Sequence, residues 1–318
     1  MAIGLIPGLI KLIRTDNLIE RTTDFTMRNP FLNKYEQITY SKIKAVTDKV
    51  GAIVFSKVRL ADVLPINGSG ISDSDFRFAL QSHVDFFVID SEHLPLFSVE
   101  FDGPRHKNQI QIERDLIKNR LLKHFGHPYI RINSRYLDIK YRSLDLLTYF
   151  IDVWFLSEAF DAAQQAGYVP YDEPFDPASV ISGGASNGRL WPYWLSVDHQ
   201  IKIEKLWKEG KIAQMIPSHW IGVDEQNNYR CISWILTDRN KGVYIKTGMR
   251  EQNFHAVHCS DLLSQIAIFE LYEKLEDVLQ GKRNPVSSRI IDNQIKKYEN
   301  LYSPRSIAKC NTNMDNIE

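Results

Sequence analysis

Val84-Asp85-Phe86-Phe87-Val88-Ile89 and Leu96-Phe97-Ser98-Val99-Glu100-Phe101-Asp102-Gly103 are two short apolar runs, each interrupted by a carboxylate. Runs of this length, rich in aromatic and β-branched residues and bounded by polar ones, form buried strands. The short polar connection around Glu92 makes the two strands neighbours. A carboxylate inside such a strand costs several kcal/mol if it is desolvated without a partner. Asp85 and Glu100 therefore require a cation or strong hydrogen bonds. Adjacent strands lie about 4.8 Å apart, so both acids can converge on one hard cation, and an all-oxygen set suits Mg²⁺ or Mn²⁺.

The charge reverses just downstream. Between Asp85 and Asp102 stand five acids (Asp85, Asp90, Glu92, Glu100, Asp102) and no Lys or Arg, whereas residues 104–140 carry nine Lys/Arg against three Asp/Glu. An anionic metal pocket beside a cationic helix suits a phosphodiester. The metal stabilises charge at the scissile phosphate and activates a water, while Arg105, Lys107, Arg114 and Arg131 are candidates to hold flanking phosphates.

Working outward, Pro30 and Phe31 open a helix that runs to about Asp48, Ala52 to Val58 is a strand, and 66–70 is a loop. Ile110 to Phe125 reads as a helix stopped by Gly126 and Pro128, and Tyr129 to Ile132 as a last short strand. The order α-β-β-β-α-β predicts an α/β fold with a mixed sheet flanked by helices. A helix over 143–163 follows, then Pro, Gly, Ser and Asp accumulate. Beyond them come a helix over 197–215, a hairpin of 219–223 with 229–235, a third strand at 242–246 and a helix over 261–279. The expected divisions are an N-terminal helical extension (1–28), a catalytic domain (29–165), a linker (166–190), an α+β accessory domain (191–302) and a flexible tail (303–318). Trp191, Trp194, Trp207, Trp220 and Trp234 cluster in the accessory region and read as core. His255-x-x-His258-Cys259 lacks the further ligands that a structural zinc site needs.

The central stretch resembles the PD-(D/E)XK nuclease superfamily, and within it a bacterial putative nuclease family related to very-short-patch-repair-like endonucleases. The resemblance rests on Val84-Asp85-Phe86, Val99-Glu100-Phe101-Asp102-Gly103 with His106, Arg114-Asp115 with Lys118, and Gly126-His127-Pro128 before Ile130-Arg131-Ile132. Leu32, Glu36 and Val58-Arg59-Leu60-Ala61-Asp62-Val63 match upstream. It covers about a third of the chain. It implies a restriction-endonuclease-like core with Asp85 and Glu100 as metal ligands, the Phe101 carbonyl as a further donor, and Asp102 as an additional ligand or water-positioning base. Glu36 would reach the site from the first helix, Lys118 would stabilise the transition state, and His106 would contact phosphate or move a proton, with Gln109 assisting. The superfamily places Lys two residues after the acidic ligand; here that position is Asp102, and the resemblance suggests that Lys118 supplies the charge instead.

Simpler readings compete. Glu100 and Asp102 could pair with Arg105 or Lys118 for structure alone, Asp102-Gly103 could be a turn, and Glu36 could merely favour a helix dipole. Asp115 and Lys118 could form an i,i+3 pair on a helix surface. With 39 Lys+Arg and 39 Asp+Glu the formal charge is zero, which excludes a uniformly basic nucleic-acid coat. Three well-separated cysteines fit a reducing cytoplasm, and no run of about 20 apolar residues is present to cross a bilayer. The sequence thus predicts a cytoplasmic, metal-dependent DNA nuclease, with RNA the less favoured substrate and a catalytically inactive binding or assembly module as the alternative. A homodimer, and a protein partner recruited by the C-terminal region, stay open.

Overall fold

The computed structural model describes residues 30–103, 109–141, 143–177, 181–183, 190–192 and 195–310. The chain divides into two compact units, Met1–Asn33 and Lys34–Glu318. The helix expected within residues 1–28 lies outside the described residues, and everything below concerns the second unit.

That unit begins with α1 (Lys34–Val50), β1 (Ile53–Arg59), α2 (Leu60–Val63), α3 (Asp73–Gln81), β2 (His83–Ile89), β3 (Pro95–Phe101), α4 (Gln109–His124) and β4 (Tyr129–Ile132). The four strands form one mixed sheet in the order β1-β2-β3-β4; the first two pairings are antiparallel and β3 runs parallel to β4. A parallel pair needs a crossover, and α4 provides it. The helix stops because Gly126 adopts a left-handed φ of 65°, with Pro128 just beyond. Helices α2 and α3 interrupt the expected order. The second begins at Ser72, whose side chain accepts a hydrogen bond from the Asp75 amide. Leu60, Val63, Val84, Phe87, Leu121 and Leu122 are buried together, so the sheet packs on α2, α3 and α4.

Next come a 3-10 turn (Ser134–Leu137), α5 (Leu146–Gln165), a small hairpin of β5 (Ile181–Gly183) and β6 (Leu190–Pro192), and α6 (Val197–Lys208). Asp145 caps α5 through the Thr148 amide and accepts from Lys42 of α1 at 2.7 Å. The remainder is β7 (Ser218–Val223), β8 (Tyr229–Leu236), β9 (Lys241–Met249), α7 (Cys259–Leu279), β10 (Val286–Ser287), α8 (Ser288–Leu301) and β11 (Ser303–Ala308). They build a five-stranded antiparallel sheet, order β10-β9-β8-β7-β11.

Two expectations are corrected here. Residues 303–308 are not a loose tail: they pair with β7 as an edge strand, and backbone pairing holds a polar strand that side-chain burial would not. Helix α6 ends at Lys208 rather than Met215, because Gly210 turns left-handed at φ 67°. Trp220 and Trp234 are core, while Trp207 is partly exposed.

The two sheets share apolar packing. Phe254, beyond β9, meets Phe97 of β3 at 5.4 Å between ring centroids and Trp154 of α5 at 4.7 Å. The segment 250–254 also lies along the outer edge of β4. The Tyr129 amide donates to the Asn253 carbonyl, and the Gln252 side chain bonds both the amide and the carbonyl of Arg131. Among the described residues no helix is long and apolar enough to cross a membrane.

Candidate active site

Strand register places four charged residues in a row across the first sheet. The β1–β2 pairing aligns Ser56 with Phe86 and Val58 with Val84, which sets Lys57 opposite Asp85. The β2–β3 pairing aligns Phe86 with Val99, and one further step sets Asp85 opposite Glu100. The parallel β3–β4 pairing aligns Glu100 with Arg131. Cross-strand neighbours point to the same face, so Lys57, Asp85, Glu100 and Arg131 form a sequence of cation, anion, anion, cation. The carboxylates of Asp85 and Glu100 lie near enough for each charge to act on the other.

Helices supply two more groups. Glu36, in the first turn of α1, accepts from Lys57 Nζ at 2.6 Å, and the same ammonium donates to Asp85 Oδ1 at 2.6 Å. The other Asp85 oxygen accepts from the Phe101 amide at 2.9 Å. Lys118 of α4 donates to Glu100 Oε2 at 2.8 Å and to the His83 carbonyl at 2.7 Å. Burial opposes the charge on Lys57, but its bonds to Asp85 and Glu36 outweigh that and hold its pKa above the ordinary lysine range.

Glu100 differs from its neighbours. It is 4% exposed, and its Oε1 has no hydrogen-bond partner among the described residues. Burial raises its pKa, Lys118 opposes that shift, and the Asp85 charge adds to it. A buried carboxylate oxygen without a donor, next to a second carboxylate, can accept a cation. Mg²⁺ is commonly held by one or two carboxylates while it keeps several waters, so the pair fits that ion. No group of three or more His, Cys, Asp or Glu side chains able to hold a metal occurs among the described residues.

Lys57 is the residue that sequence reasoning passed over. Its φ is 57°, inside a strand whose ladder skips it. Left-handed backbone costs an L-residue roughly 1–2 kcal/mol, and such strain persists where surrounding structure imposes it, often at functional sites. The signal that marks Asp85, a charge inside an apolar strand, is equally present in Ile53-Val54-Phe55-Ser56-Lys57-Val58.

Asp102 stands apart from the acidic pair. Its carboxylate accepts from Arg131 at 2.6 Å and pairs with Arg250 at 3.0 Å. Asp115 pairs with Arg131 at 2.9 Å, so Asp115 and Lys118 do not form the surface pair considered from their spacing. The expectation that Arg131 meets nucleic-acid phosphate is corrected. Its side chain is 1% exposed and is bound by Asp102, Asp115 and Asn119, so it is closed to a substrate. Arg114 is exposed on α4, its guanidinium 5.5 Å from the Phe78 ring centroid. Gln109 bonds Glu113 on the same helix. Arg105, His106 and Lys107 lie outside the described residues. Arg250, which joins the Asp102 network from the second sheet, carries no local sequence signal.

Residues 28–144 match the model of a family described as a protein of unknown function, DUF2726. The match spans α1 through β4 and so contains every strand of the charged row. No curated protein and no solved structure matches the chain.

Proposed function

We propose that this chain is a metal-dependent nuclease that hydrolyses phosphodiester bonds, in DNA more than RNA, on a restriction-endonuclease-like core. The observation that carries the proposal is the buried, unpartnered Oε1 of Glu100 beside Asp85. The order α-β-β-β-α-β, with α2 and α3 inserted, supports the fold, and the resemblance at Glu36, Asp85, Glu100 and Lys118 supports the chemistry. Asp85 and the free oxygen of Glu100 would hold Mg²⁺ or Mn²⁺. The bound ion would stabilise negative charge on the phosphate and lower the pKa of an attacking water. Lys118 fixes the Glu100 carboxylate through Oε2 and leaves the buried Oε1 without a donor. The Phe101 amide fixes Asp85 in the same way. Arg114, exposed on α4, would hold a flanking phosphate. Asp102, bound by two arginines, maintains the strand end rather than serving as a ligand.

The test is incubation with supercoiled plasmid, linear duplex, single strands and RNA in Mg²⁺, Mn²⁺ or EDTA. Nicking should require metal and should disappear in Asp85→Ala and Glu100→Ala. One observation favours a second reading, a binding or assembly module without turnover: Lys57 and Lys118 already give Glu36, Asp85 and Glu100 counter-charges. That module would retard duplex DNA and cut nothing under any metal.

A further inference from the structure

We infer that Lys57 is the lysine that contacts the scissile phosphodiester. The inference rests on the nuclease reading above and gives that site its substrate-facing cation. Among the described residues, two ammonium groups compete for the role. Lys118 is tied to the His83 carbonyl as well as Glu100, and its side chain is 13% exposed. Lys57 is bonded to two carboxylates, and its side chain is 29% exposed, so a phosphate oxygen can reach it. Once Asp85 is shared with a divalent cation, Lys57 has charge to spare for a phosphate. Lys118 keeps its carbonyl and its carboxylate, and acts as a positioning residue.

Charge balance points the same way. Among the described residues, Glu36, Asp85 and Glu100 with Lys57 and Lys118 leave one net negative charge, and a divalent ion makes this set singly positive, which matches the single negative charge of a phosphodiester. Without Lys57 the loaded site would be neutral and would not attract the substrate. The backbone adds an independent argument. Glycine or asparagine would sit at φ 57° with less strain, so a lysine there is held for what its side chain does.

Lys57→Met, Lys57→Arg, Lys57→Gly and Lys118→Met are compared with the wild type by Tm, by duplex binding in Ca²⁺, and by plasmid nicking in Mg²⁺. Lys57→Met and Lys57→Gly should slow nicking about 100-fold or more, the loss typical of removing one preorganised donor to developing charge. Lys57→Arg should retain part of the rate. In Ca²⁺, the slope of log affinity against log salt should fall by about one for Lys57→Met and stay unchanged for Lys118→Met, because one phosphate contact is lost. Lys57→Gly relieves the backbone strain and should melt no lower than Lys57→Met, so a folded variant is available. Wild-type nicking with undiminished Lys57→Met and Lys57→Gly rates, or an unchanged salt slope, overturns this inference and leaves the nuclease reading standing. A wild type that cuts no substrate overturns both.

Discussion

Replacing Arg131 by methionine separates a structural arginine from a DNA-binding one. The side chain is 1% exposed and binds Asp102 at 2.6 Å, Asp115 at 2.9 Å and Asn119 at 2.9 Å. Without it, Asp102 and Asp115, 9% and 8% exposed, keep the partly exposed Arg250 as their cation, at 3.0 and 3.8 Å. Breaking a buried ion network by removing one partner costs about 3–5 kcal/mol, most of it the penalty of stranded charge. In a unit of this size about 1 kcal/mol moves Tm by roughly 2 °C, so Arg131→Met should melt about 6–10 °C lower. Urea denaturation followed by circular dichroism should show the midpoint fall with little change in slope. The variant Arg131→Met/Asp102→Asn/Asp115→Asn should recover most of the loss, since no buried charge remains unpaired. Lys44→Ala, which removes an exposed ion pair on α1, should leave the midpoint unchanged. An Arg131→Met protein that loses less than about 1 kcal/mol yet no longer binds duplex DNA would refute this account of the network.

His127 is buried against Phe87, with Nε2 2.8 Å from Ser98 Oγ, and burial lowers its pKa to about 4. Below pH ~6.5 the unfolded chain takes up a proton that the native ring refuses. Stability should therefore fall by about 1.4 kcal/mol per pH unit between roughly 6.5 and 4, and urea midpoints of His127→Gln should show a shallower slope over that range. Mg²⁺ or Mn²⁺ at about a hundred times Kd should add about 2.7 kcal/mol to the wild type and nothing to Glu100→Gln; equal gains would remove Glu100 from the ligand set. Phe254→Ala should cost about 3–5 kcal/mol and lower the stability of both sheets in one transition, and two separated transitions would show that they fold independently.

The central fold was legible because its strands announce themselves. Runs such as Val84 to Ile89 are buried on both faces, and Gly126-His127-Pro128 ends α4 wherever it is read. Helices α3 and α8 were not legible: both are polar and the first is short, and their amphipathic character matters once a sheet is there to receive them. Strand β11 was missed for the reverse reason, since Ser303-Pro304-Arg305-Ser306 is exposed and held by backbone pairing. At the site, Asp85, Glu100, Glu36 and Lys118 stood out by charge, pattern or resemblance. Lys57 carried the same local signal but needed the register to connect it with Asp85. The Asp102–Arg131–Arg250 network joins residues far apart in the chain, and no local pattern encodes it.

The segment 250–254 has a practical meaning for handling this protein. Cut after the matched region at residue 144, the chain would lose the partners of the Tyr129 amide, the His127 carbonyl and both polar backbone groups of Arg131. The flank of a strand left bare in this way recruits other strands, so a fragment ending there should self-associate and precipitate. An expression boundary that preserves the sheet as a monomeric surface must run past Phe254.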